Sequence, residues 1–282
     1  MAKIAYVNGG FSLQSEAVIN IEDRGLQFGD AVYEVWSFKN YKLLDEEGHF
    51  TRLQRSLDEL GIDYQVNPVS MKIVIKELIR KNRVRDGMVY LQISRGTAPR
   101  DHKFPDDVMP NVIFTVKPLN FVALENKAQK GITITFMPDN RWGRVDIKTT
   151  NLLANVLAKQ NALDNGFDDV WFFDNDGFIT EGTSNNAWII DKDDNLITRA
   201  LSNEILAGIT RKSVLAAAAQ LGLNIVERKF TVEEAINAKE AFITSATQFV
   251  MPVVKMEQNT ISGGKMGLVA SKLRTQYLQN NM

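Results

Sequence analysis

Runs of β-branched and aromatic residues recur along this chain in pairs joined by tight-turn signals, and helical-period segments fall between the pairs rather than after every strand. That arrangement constrains the fold most. Residues 4–7 and 11–13 flank Asn8-Gly9-Gly10, which supplies the positive φ a hairpin turn requires. A second hairpin is expected over 31–38 and 41–44, with Tyr33 and Val35 on one face. Phe50, Leu53, Leu57 and Leu60 predict a helix over 49–60 that ends at Gly61 and carries Arg52 near its start. Ser70 is expected to cap a helix over 71–82, and strands are expected at 88–94 and 111–116. Residues 118–130 mix polar side chains with little periodicity, which places a boundary between a first domain, 1–120, and a second, 121–282. In the second, strands are expected at 132–136, 170–173, 187–190, 225–230, 241–244 and 250–256, with helices at 152–163, at 209–221 and after Gly267. Hairpins with helices between them predict an α+β / α/β chain with a curved, barrel-like sheet, not a regular βαβ series.

Composition removes whole classes of function. The 33 basic and 34 acidic residues leave a formal net charge of -1, so no broad field attracts nucleic acid or an anionic membrane. Without cysteine there are no disulfides, thiolate nucleophiles or cysteine-ligated metals. The two histidines, His49 and His102, come with no His-Glu-x-x-His or comparable cluster, so no metal site is expected. The first ten residues are too turn-rich for a signal peptide, and no apolar run reaches membrane-spanning length. A soluble, cytoplasmic protein is the expectation.

Two segments carry chemistry together. Lys148 lies in Asp146-Ile-Lys-Thr-Thr-Asn151, where Val145, Ile147, Leu152 and Leu153 predict a half-buried amine with a lowered pKa. Glu181 lies in Thr180-Glu-Gly-Thr-Ser-Asn185, a carboxylate ringed by Thr183, Ser184 and Asn185. Such a pair suits pyridoxal phosphate: the amine forms a Schiff base with the cofactor aldehyde and the acid keeps the ring nitrogen protonated. Singly, a solvated lysine and a turn glutamate are the commoner explanations. Arg95-Gly-Thr-Ala-Pro-Arg-Asp-His102 gathers cations on a loop able to clamp a carboxylate, or is simply a solvated basic loop. Gly208-Ile-Thr-Arg211 opens a helix, where backbone N–H groups and the Thr210 hydroxyl suit a phosphate; a plain capping role for Thr210 is the alternative. Thr244-Ser245-Ala-Thr247 can add further donors.

With Arg24-Gly-Leu-Gln-Phe-Gly-Asp-Ala-Val-Tyr-Glu34 and His49-Phe-Thr-Arg-Leu53, these motifs stand in an order that closely resembles the fold type IV pyridoxal phosphate enzymes. Within them the chain is most similar to the bacterial D-amino-acid (D-alanine) aminotransferases, over nearly its whole length. The resemblance implies a smaller N-terminal α+β domain and a larger C-terminal cofactor-binding domain. It implies Lys148 as the Schiff-base lysine and proton shuttle and Glu181 as partner of the pyridine nitrogen. Arg52, the Ile209 backbone, Thr210 and Thr247 become phosphate ligands, with Ser184 and Asn185 beside the cofactor. Tyr33, Arg100 and His102 correspond to the trap for the substrate α-carboxylate. Ala246 stands where the family usually has a threonine. The implied partners are D-amino acids and 2-oxo acids, with a second copy of the chain in a homodimer. An (R)-selective amine transaminase or an aminodeoxychorismate lyase-like enzyme on the same scaffold is the alternative.

Overall fold

The computed structural model describes residues 3–282, which form two compact units. The first comprises the described part of Met1–Asn120 together with Ile147–Asn151; the second comprises Phe121–Asp146 and Leu152–Met282. Among the described residues no helix is long and apolar enough to cross a membrane.

The first unit runs β1 (Ile4–Val7), β2 (Gly10–Leu13), α1 (Arg24–Phe28), β3 (Ala31–Lys39), β4 (Lys42–Leu43), α2 (Glu46–Leu60), α3 (Pro68–Asn82), β5 (Gly87–Ser94) and β6 (Asn111–Pro118). Its strands lie in the order β2-β1-β6-β5-β3-β4, all antiparallel. Alternation along β3 sends Val32, Glu34 and Trp36 to a fully buried face, while Tyr33 and Val35 share the half-buried one as expected. The buried face packs with Leu53 and Leu57 of α2 and Ile75 and Leu78 of α3. Each such side chain contributes about 1.5–3 kcal/mol by leaving water. Two predicted boundaries move. Helix α2 begins at Glu46 rather than at 49, and α3 is capped by Asn67, whose side chain accepts from the Ser70 N–H. Pro68 then opens α3, where its missing N–H costs nothing.

The second unit runs α4 (Phe121–Lys130), β7 (Ile132–Pro138), α5 (Leu153–Asp164), β8 (Asp169–Phe173), β9 (Ile179–Gly182), β10 (Asn186–Ile190), β11 (Leu196–Thr198), α6 (Ile209–Gln220), β12 (Ile225–Glu227), α7 (Val232–Ile236), β13 (Glu240–Ser245), β14 (Phe249–Met256), β15 (Asn259–Thr260) and α8 (Leu268–Asn281). The predicted irregular stretch over 118–130 is mostly α4, whose weak pattern buries only Ala128. The strand expected to 230 stops at Glu227; Phe230 packs in the core, and its carbonyl accepts from the Ile179 N–H at 2.8 Å.

The main sheet runs β12-β11-β10-β13-β14-β7-β8-β9. Its connectivity forces curvature. Strands β9 and β10 are joined by only Thr183, Ser184 and Asn185, a link that spans about 14 Å at full stretch. In a flat sheet they would stand five strand spacings apart, roughly 24 Å. The sheet therefore curls into a half-barrel, as the hairpin pattern led us to expect, and Glu181 sits at the seam.

Candidate active site

In the first unit the lysine segment is held as an extra strand piece against the open edge of β3. Thr149 bridges Val32, the Tyr33 N–H donates to the Lys148 carbonyl at 3.0 Å, and the Thr150 N–H donates to Ala31 O at 3.0 Å. The Lys148 N–H in turn donates to Ser56 Oγ at 3.3 Å. With its backbone so fixed, Lys148 places Nζ 4.1 Å from the centre of the Tyr33 ring. Among the described residues no carboxylate pairs with this amine. Of the apolar neighbours expected to shelter it, Ile147 is buried but Leu153 is 72% exposed.

Helix α2 turns His49, Arg52 and Ser56 to one buried face. Arg52 does not stand alone: Nε and Nη2 donate to the two carboxylate oxygens of Glu34 at 2.7 and 2.9 Å. His49 Nδ1 lies 2.7 Å from the same Glu34 carboxylate. Burial opposes the Glu34 charge, yet Arg52 and His49 outweigh it and hold the carboxyl far below the usual range. Burial, aided by Arg52, lowers the His49 pKa although Glu34 works against it, so a neutral imidazole donates through Nδ1–H. The signal for Glu34 lay in the strand alternation, which puts a carboxylate in phase with Val32 and Trp36 and therefore demands a buried partner.

Of the remaining residues expected in this unit, Arg100 and His102 share one ring and Tyr33 lies on another. Arg100 lies 4.6 Å from the centre of Phe28 and His102 5.6 Å, both with exposed side chains. Tyr33 stacks on Tyr90 at 5.8 Å. Burial, with the neighbouring Tyr33, pushes the Tyr90 hydroxyl up to about 12.

In the second unit Glu181 is buried, but its ring of partners is not the one expected. Arg141 Nη1 donates to Oε1 at 2.5 Å, while Asn186 Nδ2 and the Leu206 N–H donate to Oε2 at 2.9 and 3.0 Å. Thr183 and Asn185 turn instead to buried Asp169, at 2.5 and 2.8 Å, and Ser184 is exposed. Asn185 Oδ1 is buried with no partner among the described residues. Arg141 also forks onto Asp139, at 2.9 and 2.7 Å, and lies 4.8 Å from the Phe172 ring centre. Burial pushes the Glu181 carboxyl up, and Arg141 and the Leu206 N–H only partly offset it. Arg141 was not found from the sequence, where nothing separates it from an ordinary surface residue.

Asn186 also donates to Leu206 O at 2.9 Å, tying Glu181 to the chain that leads into α6. Gly208 caps α6 without a side chain, so Thr210 is not the cap. A Cβ at Gly208 would collide with Asn186 Oδ1, which explains the glycine. The Thr210 hydroxyl is buried and has no partner among the described residues. An orphaned donor at the amino terminus of a twelve-residue helix fits a phosphate group. Thr247 lies half-buried in the turn between β13 and β14. These residues therefore fit pyridoxal phosphate, with a phosphate donor set at α6 and a buried carboxylate tied to it.

Comparison with known proteins agrees. Residues 31–256 match the family model described as Amino-transferase class IV. A D-alanine aminotransferase from Bacillus licheniformis is 40% identical over 276 residues, covering 98% of this chain and 95% of that one. One from Staphylococcus haemolyticus is 36% identical over 277 residues, covering 97% and 96%. In fold, the chain is similar to the Escherichia coli branched-chain amino acid aminotransferase, with a TM-score of 0.91 at 20% identity over 99% of this chain and 94% of that one. The T.th. branched-chain amino acid aminotransferase with pyridoxamine 5'-phosphate gives 0.89 at 24% identity over the same shares.

Proposed function

The chain belongs to the class IV aminotransferase family, and from that premise we propose that it moves the amino group of a D-amino acid such as D-alanine to a 2-oxo acid such as 2-oxoglutarate, by a ping-pong sequence. It is a pyridoxal 5'-phosphate-dependent aminotransferase of the D-alanine aminotransferase type. The observation that carries the reading is the Lys148 amine, fixed by its backbone to β3, standing over Tyr33 and free of any carboxylate among the described residues. An amine that no carboxylate engages leaves its nitrogen open to an aldehyde carbon.

The roles follow residue by residue. Lys148 anchors the cofactor aldehyde; once displaced by the substrate amine, its Nζ takes the α-proton and returns it during the same half-reaction. Pyridoxal phosphate, when bound, supplies an electron-accepting ring for the pair left by that proton. Glu181 holds the proton on the ring nitrogen. Arg52, the Ile209 N–H, Thr210 and Thr247 hold the phosphate, with Ser184 and the unpartnered Asn185 Oδ1 completing the cofactor set. Tyr33, Arg100 and His102 bind the α-carboxylate and fix which enantiomer presents its α-hydrogen to Lys148. The reading includes a cytoplasmic homodimer, for which Leu153, Val156 and Leu157 of α5 give exposed apolar surface.

The test is the visible spectrum of the protein with cofactor, recorded with D-alanine, L-alanine and an (R)-arylalkylamine added separately. Loss of the cofactor band with D-alanine alone is expected. Loss with the amine and not with D-alanine would leave the cofactor chemistry and discard the carboxylate clamp, pointing to the (R)-amine transaminase alternative.

A further inference from the structure

We infer that Phe28, locked by Arg24, is a positioning residue that presents Arg100 and His102 as one carboxylate-binding unit; this rests on the role proposed above for those two residues. Arg100 and His102 are exposed, and both lie against the Phe28 ring, at 4.6 and 5.6 Å. Two long polar side chains on an exposed loop sample many rotamers, and a cation lying on a ring face is held without using its hydrogen-bond donors. The ring therefore orders both groups and leaves their N–H donors for an anion.

The ring itself is held from the buried side. Arg24, 3% exposed, lies 4.8 Å from the centre of Phe28 and donates through Nη1 to the Asp101 carbonyl at 2.7 Å. Asp101 is the residue between Arg100 and His102, so one buried guanidinium fixes both the platform and the backbone from which the two side chains spring. Nε of Arg24 donates to Asp30 at 2.8 Å, and Asp30 also receives Arg95 at 2.7 and 3.1 Å. Arg95 fastens the start of the loop to the Leu60 and Gly61 carbonyls, both at 2.7 Å, and lies 3.6 Å from the Phe104 ring centre. The loop is thus fastened at its first residue, at Asp101 and at Phe104, and the segment it presents is the one over Phe28.

The experiment compares Phe28→Leu, Phe28→Tyr and Arg100→Ala with the parent holoenzyme. It records KM for D-alanine and for 2-oxoglutarate, kcat, cofactor affinity and the unfolding midpoint. Phe28→Leu is expected to raise both KM values roughly two- to fivefold as Arg100 loses its cation–π contact, with kcat, cofactor affinity and midpoint held, and Phe28→Tyr to keep the parent values. Unchanged KM in Phe28→Leu, beside a raised KM in Arg100→Ala, would overturn the inference and leave the carboxylate role standing. Unchanged KM in Arg100→Ala would remove that role and the inference with it. Loss of cofactor affinity or midpoint in step with KM would make Phe28 plain packing and would also overturn it.

Discussion

Replacing Glu34 by Gln tests whether the first unit is organised around a buried charge. Glutamine keeps the shape but replaces one carboxylate oxygen by an N–H donor, although donors already stand within 2.9 Å of both, Arg52 Nε at Oε1 and Arg52 Nη2 with His49 Nδ1 at Oε2. Arg52 is 8% exposed and Glu34 is 0%, so the guanidinium is left charged with little water to replace its partner. Removing one member of a buried pair costs about 3–5 kcal/mol, a large share of the roughly 5–15 kcal/mol that holds a domain folded. At a slope near 3 kcal/mol per molar, the urea midpoint should fall by about 1–1.7 M. The loss depends on pH. The folded Glu34 carboxyl titrates below its unfolded value of 4.5, so its contribution is complete above that pH and disappears as pH falls toward the folded pKa. The gap between parent and variant should therefore be full near neutrality and narrow below about pH 4.5. Urea unfolding of both proteins at fixed saturating cofactor measures it. A variant within about 1 kcal/mol of the parent at neutral pH, or a gap indifferent to pH, would refute the reasoning.

Other outcomes follow from the same contacts. Lys148→Ala should abolish turnover and the absorption band of the lysine-bound cofactor together; full activity in stopped assays would end the assignment. Thr210→Val removes a hydroxyl with no partner among the described residues, so stability should hold while cofactor affinity, read by fluorescence titration, drops by roughly tenfold, about 1.4 kcal/mol for one charge-assisted bond. Arg141→Met takes away the main offset to burial at Glu181, so its carboxyl should stay protonated to higher pH and the acid limb of the pH–rate profile should move up. His49, lowered by burial, cannot follow the unfolded chain in taking a proton, so stability should decline as pH falls from about 6.5, and His49→Phe should weaken that slope in urea titrations.

Elements with strong periodicity were legible in the sequence, and those defined by long-range pairing were not. The α2 stripe Phe50, Leu53 and Leu57 and the Asn8-Gly9-Gly10 turn are local facts, and both reappear in place. Helix α4 was missed because it buries a single alanine, which leaves no stripe to detect. The residues that complete the site depend on contacts distant in sequence. Arg141 meets Glu181 forty positions on, and Arg95 meets Leu60 thirty-five positions back. The small polar run after Glu181 misled for a related reason: the tight link from β9 to β10 turns Thr183 and Asn185 away toward Asp169.

Both units bury a glutamate against an arginine, and the two carboxyl pKa values move in opposite directions. Glu34 takes two guanidinium N–H groups of Arg52 and an imidazole N–H, and its proton is driven off. Glu181 shares its arginine with Asp139, receives one guanidinium N–H, one amide and one backbone N–H, and its pKa rises with burial. The first carboxylate is saturated, with the Val35 N–H donating to it as well at 3.3 Å, which suits a counter-ion that aims Arg52. The second has its charge under-compensated, so a further N–H donor carrying positive charge would gain most by binding there. A protonated ring nitrogen is such a donor. The contrast in environment, rather than the presence of an acidic residue, is what separates a structural carboxylate from one fit for the cofactor.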